Sequence, residues 1–202
     1  MKESKLSIGI DCDDVLVATA EKSVAFFNER YGNHLTLDDM FQMPTIEKYG
    51  TTDIRIVLAR VAEFTQEMAG ELPLIDGAYD AIDGWKRQGV GLHMITGRSA
   101  PTQDATLQAL RRDFCDAFTS YEFTDSLNPE TKRSKRDVCL ELGTVAMIDD
   151  LIINDLPGAT TGMVFGNYPW NRNKDLPDNA VRVPNWEVAR DKVEELLWNA
   201  RQ

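Results

Sequence analysis

Short apolar runs alternate with helical stretches along most of this chain, and that alternation restricts the fold more than any other feature. The runs are LSIGI (6–10), VGLHMI (90–95), DAFTSYEF (116–123), TVAMI (144–148), TGMVF (161–165) and AVRV (180–183). They are rich in Val, Ile, Leu and Met and lack clean polar alternation, the pattern of strands covered on both faces of a parallel sheet. Helical stretches lie at 76–88, with Trp85 among the apolar positions, and at 101–113, 135–142 and 187–200. Pro101 stands where a helix can open, Asn185 can cap the last helix, and Gly89 and Gly143 each follow a helix and precede a strand. Strand and helix in alternation predict an α/β fold, a Rossmann-like open parallel sheet with right-handed crossovers.

The segment 17–75 breaks the pattern. It has helical periodicity at 20–31 and 53–69, no convincing strand, and between them HLTLDDMFQMPTIEKYG, rich in Met, aromatic and turn residues. An unstructured loop of that length is rare in a compact domain. The expected organisation is therefore a core at 1–16 and 76–202, with a small helical insert at 17–75 over the carboxyl ends of the strands. With 202 residues, 43% of them hydrophobic, the chain suits one domain, or one domain plus such an insert.

In open α/β sheets, ligands bind beyond the carboxyl ends of the strands. The first predicted strand is followed by Asp11, Cys12, Asp13 and Asp14, the second by Thr96, Gly97 and Arg98, and the fourth by Asp149 and Asp150, with Asp155 a little further on. Lys132 and Lys135 lie just before the helix leading into the fourth strand. Carboxylates converging at one sheet edge repel one another unless a cation sits between them, and hard oxygen donors suit Mg²⁺. A carboxylate is also a competent nucleophile toward phosphorus, and a second carboxyl two residues on can serve as general acid and base. A Thr hydroxyl and a Lys ammonium would hold transferring phosphoryl oxygens. Each piece alone is ordinary: Asp-x-Asp is common in solvated turns, and Asp-Asp often starts a helix. Their shared placement at predicted strand ends carries the reading.

IGIDCDDVL, MITGR, the Lys of RSKRDVCLELG and AMIDD resemble, in order, the four motifs of the haloacid-dehalogenase-like (HAD) phosphatase superfamily, over essentially the whole chain. Within it, KRDVCLELG followed by AMIDD, and VFGNYPWN then VPNWEVA, look most like the 5′-nucleotidases that include the deoxyribonucleotidases. The resemblance implies a helical cap at 17–75 and an Mg²⁺-dependent phosphomonoesterase working through an aspartyl-phosphate. Asp11 would be the nucleophile, and Asp13 the general acid/base that also offers its main-chain carbonyl to Mg²⁺. Thr96, Gly97 and Lys135 would bind the phosphoryl group, and Asp149 and Asp150 would complete the metal site. Lys132 competes with Lys135; Lys135 is preferred because it opens the helix. The expected substrate is a nucleoside 5′-monophosphate, and the alternative is a sugar phosphate or another small phosphate ester. Two departures stand out. Asp14 replaces a frequent Gly, and VATAEK, with Thr19, occupies a stretch where an aromatic often stacks on the base. A base would then stack on Phe41, Tyr49 or Phe64.

Met40, Phe41, Met43 and Tyr49 could form an adaptable apolar wall over a substrate, or pack the insert against itself. His93 reads as a structural imidazole, Cys12 as a small buried filler pointing away from the site, and Trp170 and Asn171 as a site rim or a surface turn. KRSKR (132–136) suits a phosphate-binding Lys with solvated neighbours on a chain of net charge −11. That charge argues against nucleic-acid polymers as partners. No apolar run approaches a membrane span, the first residues lack a signal-peptide pattern, and Cys12, Cys115 and Cys139 show no paired spacing, so a reducing cytoplasm is expected. A signalling receiver domain shares an acidic pocket with Thr and Lys, but the split acidic cluster and the long insert oppose it. The helical insert could also supply a dimer surface, which the sequence leaves open.

Overall fold

The computed structural model describes residues 6–40, 43–126 and 128–199. Its core is one six-stranded, all-parallel sheet in the order β3-β2-β1-β4-β5-β6. The strands are β1 (Ser7–Ile10), β2 (Gly91–Thr96), β3 (Ser120–Phe123), β4 (Ala146–Asp149), β5 (Thr161–Phe165) and β6 (Ala180–Val183). β1, β2 and β4 are buried throughout, as their unbroken apolar runs predict, whereas β3 at the edge is only half-buried. The strand order reverses on either side of β1, which creates a crevice between the ends of β1 and β4, where such sheets take ligands. Gly9 lets the central strands close up there: a Cβ on it would lie 2.7 Å from the Met147 sulfur.

The α-helices are α1 (Thr19–Tyr31), α2 (Ile54–Met68), α3 (Ala78–Arg87), α4 (Gln103–Phe114), α5 (Lys135–Leu142) and α6 (Trp186–Asn199). Their ends follow local chemistry. Asp53 caps α2 by accepting from the Arg55 N–H, Ser134 caps α5 by accepting from Asp137, and Gly143 closes α5 in the left-handed conformation. Asn185 accepts from the Val188 N–H at the start of α6. Pro101 lies in a short 3₁₀ turn, Ala100–Thr102, that leads into α4 instead of opening it. The strand expected over 116–123 starts only at Ser120, because Cys115 and Asp116 adopt φ of +49° and +53° and turn the chain.

Between β1 and α3 the described residues form α1, α2 and two 3₁₀ segments (Leu37–Asp39 and Met43–Tyr49), with no strand beyond isolated bridges at Val17. Phe26, Phe27, Tyr31, Tyr49 and Phe64 gather into one aromatic cluster joining α1 to α2. Edge-to-face contacts such as Phe26–Phe64, with centroids 5.4 Å apart, add to the apolar burial. At its two roots the segment is tied to the sheet side: Ala18 N–H donates to the Pro73 carbonyl and Ile75 N–H to that of Leu16.

Candidate active site

β1 and β4 deliver the chemistry. Directly after β1, Asp11 is buried, its N–H donates to the Ile148 carbonyl, and its Oδ1 accepts from the Cys12 N–H at 2.8 Å. At the end of β4, Asp149 Oδ1 accepts from the Leu151 N–H at 2.9 Å. Lys135, the first residue of α5, reaches both carboxylates, with Nζ 2.8 Å from Asp11 Oδ2 and 2.6 Å from Asp149 Oδ2. Asp150 completes the floor. Ligand oxygens of Asp11, Asp149 and Asp150 lie within 4.8 Å of one another, and all three residues are buried.

Three carboxylates facing one ammonium leave the floor over-charged. Burial, and then the Asp149 and Asp13 charges, push the Asp11 carboxyl up to about 7 against the pull of Lys135. Burial and the charges of Asp149 and Asp11 likewise raise Asp150 well above the ordinary range. Lys135 loses solvation, yet the two carboxylates outweigh that loss and raise it, so it stays an ammonium. Without a further cation, protons would have to occupy this site. A buried, oxygen-only donor set with excess negative charge fits a hard divalent ion such as Mg²⁺.

Asp13 stands apart from this cluster. Its Oδ1 accepts from Arg98 Nη2 at 2.8 Å and from the Thr19 hydroxyl at 2.5 Å, while its Oδ2 accepts from Arg98 Nε at 3.1 Å. Burial would raise this carboxyl, but the Arg98 pair and the Thr19 bond prevail and hold it below the usual range. Arg98 itself is buried; its other nitrogen donates to the Ala69 carbonyl beyond α2 and to the Thr106 hydroxyl of α4. One guanidinium thus joins the ends of β1 and β2 to the inserted helices.

The remaining residues singled out from sequence divide. Gly97 lines the cavity above the floor, whereas Thr96 is fully buried, with its hydroxyl accepting from the Arg98 N–H at 3.2 Å. Lys132 and Asp155 line the cavity wall as exposed residues, away from the floor contacts that Lys135 makes. Tyr49 lines the cavity but is buried edge-on against Phe27, and its hydroxyl donates to the Met40 sulfur. Phe41 and the side chain of Met43 lie outside the described residues. Cys12 is buried in the core, where lost solvation, chiefly, pushes its thiol up to about 12. His93 is buried with Nδ1 2.8 Å from the Ser120 hydroxyl. Asp14, in place of the frequent Gly, carries φ +55°, a conformation Asp tolerates better than most residues. Its carboxylate accepts from the Ala20 N–H, beside the start of α1.

The cavity measures about 820 Å³. Its floor is the strand-end cluster; its opposite wall is Ser23, Met40, Tyr49, Val61, Phe64 and Thr65 of the inserted helices. Sequence reasoning passed over Arg98, although MITGR had placed it beside the site. A cation directly after a strand end facing Asp-x-Asp was the available signal.

A deep acidic floor with one lysine, at the switch point of a parallel sheet and beneath a helical insert, defines a hydrolase of the HAD type. The sequence profile of the haloacid dehalogenase-like hydrolases matches residues 7–161, and the chain belongs to that family. No curated protein gives a significant match. Solved structures repeat the fold across nearly the full length of both chains. A predicted phosphoglycolate phosphatase of Haemophilus somnus is 14% identical with a TM-score of 0.63, covering 95% of this chain and 100% of that one. YfnB of Bacillus subtilis, assigned as a HAD-hydrolase and bound to magnesium, is 16% identical with a TM-score of 0.61, covering 95% and 99%. Protein SP0104 of Streptococcus pneumoniae, of the haloacid dehalogenase-like family, is 14% identical with a TM-score of 0.62, covering 96% and 98%. Among the described residues, no helix is long and apolar enough to cross a membrane.

Proposed function

We propose that this hydrolase is an Mg²⁺-dependent phosphatase of small phosphate monoesters. The observation that carries the reading is the Lys135 ammonium bridging Asp11 and Asp149 on the floor of the cavity. Asp11 is the nucleophile: its oxygen attacks phosphorus in line, the bond from phosphorus to the ester oxygen breaks, and an aspartyl-phosphate forms. Lys135 neutralises the equatorial oxygens, and the Gly97 backbone borders them. Asp11, Asp149, Asp150 and the Asp13 main-chain carbonyl would hold the Mg²⁺. When bound, the ion offsets the negative charge that otherwise keeps a phosphate from approaching these carboxylates. Asp13, kept ionised by Arg98, is suited to take a proton from the water that cleaves the aspartyl-phosphate. To protonate the leaving ester oxygen it must first leave that ion pair and take up a proton from solvent. We take residues 17–75 as the cap, with its wall over the leaving group.

For the substrate, a sugar phosphate or small acid phosphate is the reading we favour. Tyr49 and Phe64, two of the candidates for stacking on a base, are buried in the cap's own aromatic cluster. The resemblance to phosphoglycolate phosphatases and to a β-phosphoglucomutase-like structure from Thermotoga maritima supports the same reading. A nucleoside 5′-monophosphate remains the second reading, because a cavity of about 820 Å³ has room for one. The test is phosphate release from a panel of sugar phosphates, phosphoglycolate and ribo- and deoxyribonucleoside 5′-monophosphates, with Mg²⁺ and with chelator. Chelator-sensitive release with a sugar- or acid-phosphate preference is expected. A nucleotide preference would exchange the two substrate readings, and no release from any ester would overturn the phosphatase assignment.

A further inference from the structure

The turn after β5, GNYPWN at 166–171, takes no part in the steps above, yet two of its side chains end on Asp150 of the acidic floor and a third on the Asp14 backbone after β1. The Trp170 indole N–H donates to Asp150 Oδ2 at 2.7 Å. Asn171 Nδ2 donates to the main-chain carbonyls of Asp150, at 2.8 Å, and Phe165, at 2.9 Å. The Tyr168 hydroxyl donates to the Asp14 carbonyl at 2.8 Å. The Tyr168 and Trp170 rings stack with centroids 4.7 Å apart and planes 2° from parallel. Gly166 makes room for that stack: its φ is +76°, and a Cβ there would lie 2.3 Å from the Tyr168 ring. Trp170 is 5% exposed and Asn171 1%. One loop therefore grips Asp150 by both its carboxylate and its backbone.

We propose that Trp170 is a positioning residue for the divalent cation. Its indole fixes the rotation of the Asp150 carboxylate, and Asn171 fixes the backbone beneath it. A buried carboxylate facing Asp11 and Asp149 is repelled by both and would otherwise rotate away from them. A donor on one of its oxygens holds the group in its metal-binding orientation before the ion arrives, which is how outer partners of ligating carboxylates raise metal affinity. The inference rests on the reading of Asp150 as a metal ligand.

The test is calorimetric titration of Mg²⁺ into metal-stripped protein, with no substrate present. Trp170→Phe is expected to weaken Mg²⁺ binding about 10- to 100-fold. Its turnover should recover at high Mg²⁺ with KM for the ester unchanged. Tyr168→Phe removes a buried bond from the same loop but keeps the stack and the indole, so its Mg²⁺ affinity should stay within about twofold of the parent. Equal weakening in both variants would mean a loosened loop and would overturn the proposal, as would an unchanged affinity in Trp170→Phe. A measurement on the unaltered protein guards against a variant that fails to fold. On adding Mg²⁺, the Trp170 indole ¹⁵N–¹H resonance should shift while that of Trp198, 66% exposed on α6, stays in place. A static Trp170 resonance in protein that binds Mg²⁺ overturns the proposal alone. Failure of the unaltered protein to bind Mg²⁺ overturns it together with the cation reading.

Discussion

The floor and the roof of the cavity are built on opposite principles. On the floor, at the ends of β1 and β4, every candidate carboxylate has a charged or hydrogen-bonded partner: Asp11 and Asp149 on Lys135, Asp150 on Trp170, Asp13 on Arg98 and Thr19. On the roof, the insert presents Met40, Tyr49, Val61 and Phe64 beside the hydroxyls of Ser23 and Thr65, and the rings of Tyr49 and Phe64 are spent on other aromatics of the insert. Directional bonds at fixed strand ends set a reaction. An apolar wall on an insert sets only size and shape, which a few substitutions can alter. Floor variants should therefore fail on every ester alike, and roof variants should re-rank esters.

The sharpest break of that contrast is Asp11→Asn, which keeps the volume and removes the proposed nucleophile. Phosphate release should fall roughly 10⁴-fold or more on all esters, with circular dichroism unchanged. Wild-type-like turnover would remove the aspartyl-phosphate from the mechanism. Lys135→Met comes next. Losing the ammonium should cost about 10²- to 10³-fold in kcat, as loss of a preorganised charge partner does. It also leaves Asp11 and Asp149 facing each other unpaired, so the metal-free protein should lose about 3–5 kcal/mol of stability. Chemical denaturation in chelator reads the second effect separately from the first.

What the sequence made legible follows the same division. Asp11, Asp13, Asp149 and Asp150 stood out as candidates because they directly follow predicted strands, at the sheet edge where such folds take ligands. The order of the motifs pointed to the fold before any contact was known. Arg98 was quoted within MITGR but not given a role, since its partner Asp13 is 85 residues away and only the register of β1 against β2 brings them together. Trp170 was left between rim and surface turn for the same reason: its bond to Asp150 depends on how the turn after β5 folds back. The aromatic residues of the insert showed an apolar wall but not which rings face inward, because that depends on the packing of α1 on α2. The left-handed turn at Cys115 and Asp116, which shortens β3, carries no glycine to announce it.

Metal removal tests the floor through its charge. Mg²⁺ at about 100-fold its Kd would stabilise the fold by about 2.7 kcal/mol, and for a chain of this size that is roughly 5–10 °C in Tm. The effect has a defined pH window. Burial, with the neighbouring carboxylates, pushes the Asp11 carboxyl up from the usual 3.8 to about 7 in the metal-free fold and raises Asp150 as well. Between those two values the fold binds more protons than the unfolded chain, so these groups make the metal-free protein less stable as pH rises from about 4 to 7. Protons and Mg²⁺ compete for the same oxygens. The Mg²⁺-induced rise in Tm should therefore be full at pH 8 and shrink as pH falls through 7 toward 5. Paired melts with Mg²⁺ and with chelator across that range measure it. A rise independent of pH would mean that the ion binds away from these carboxylates.

The roof supplies the smallest effect and the one that most sharpens the contrast. Val61 faces the cavity from the middle of α2 and makes no bond to the floor. Val61→Ala removes two methyl groups from the wall without touching Asp11, Lys135 or Arg98. A hydrophobic pocket discriminates by about 1–3 kcal/mol per methylene, so the ratio of kcat/KM between a bulky and a compact ester should shift toward the bulky one by about tenfold. The kcat on the best ester should change little, because in the proposed reading the wall lies over the leaving group and not the phosphorus. Competition between two esters in one reaction measures that ratio directly. If kcat fell equally for both, Val61 would act through the floor, and the division between a roof that selects and a floor that reacts would fail at the residue where it is easiest to test.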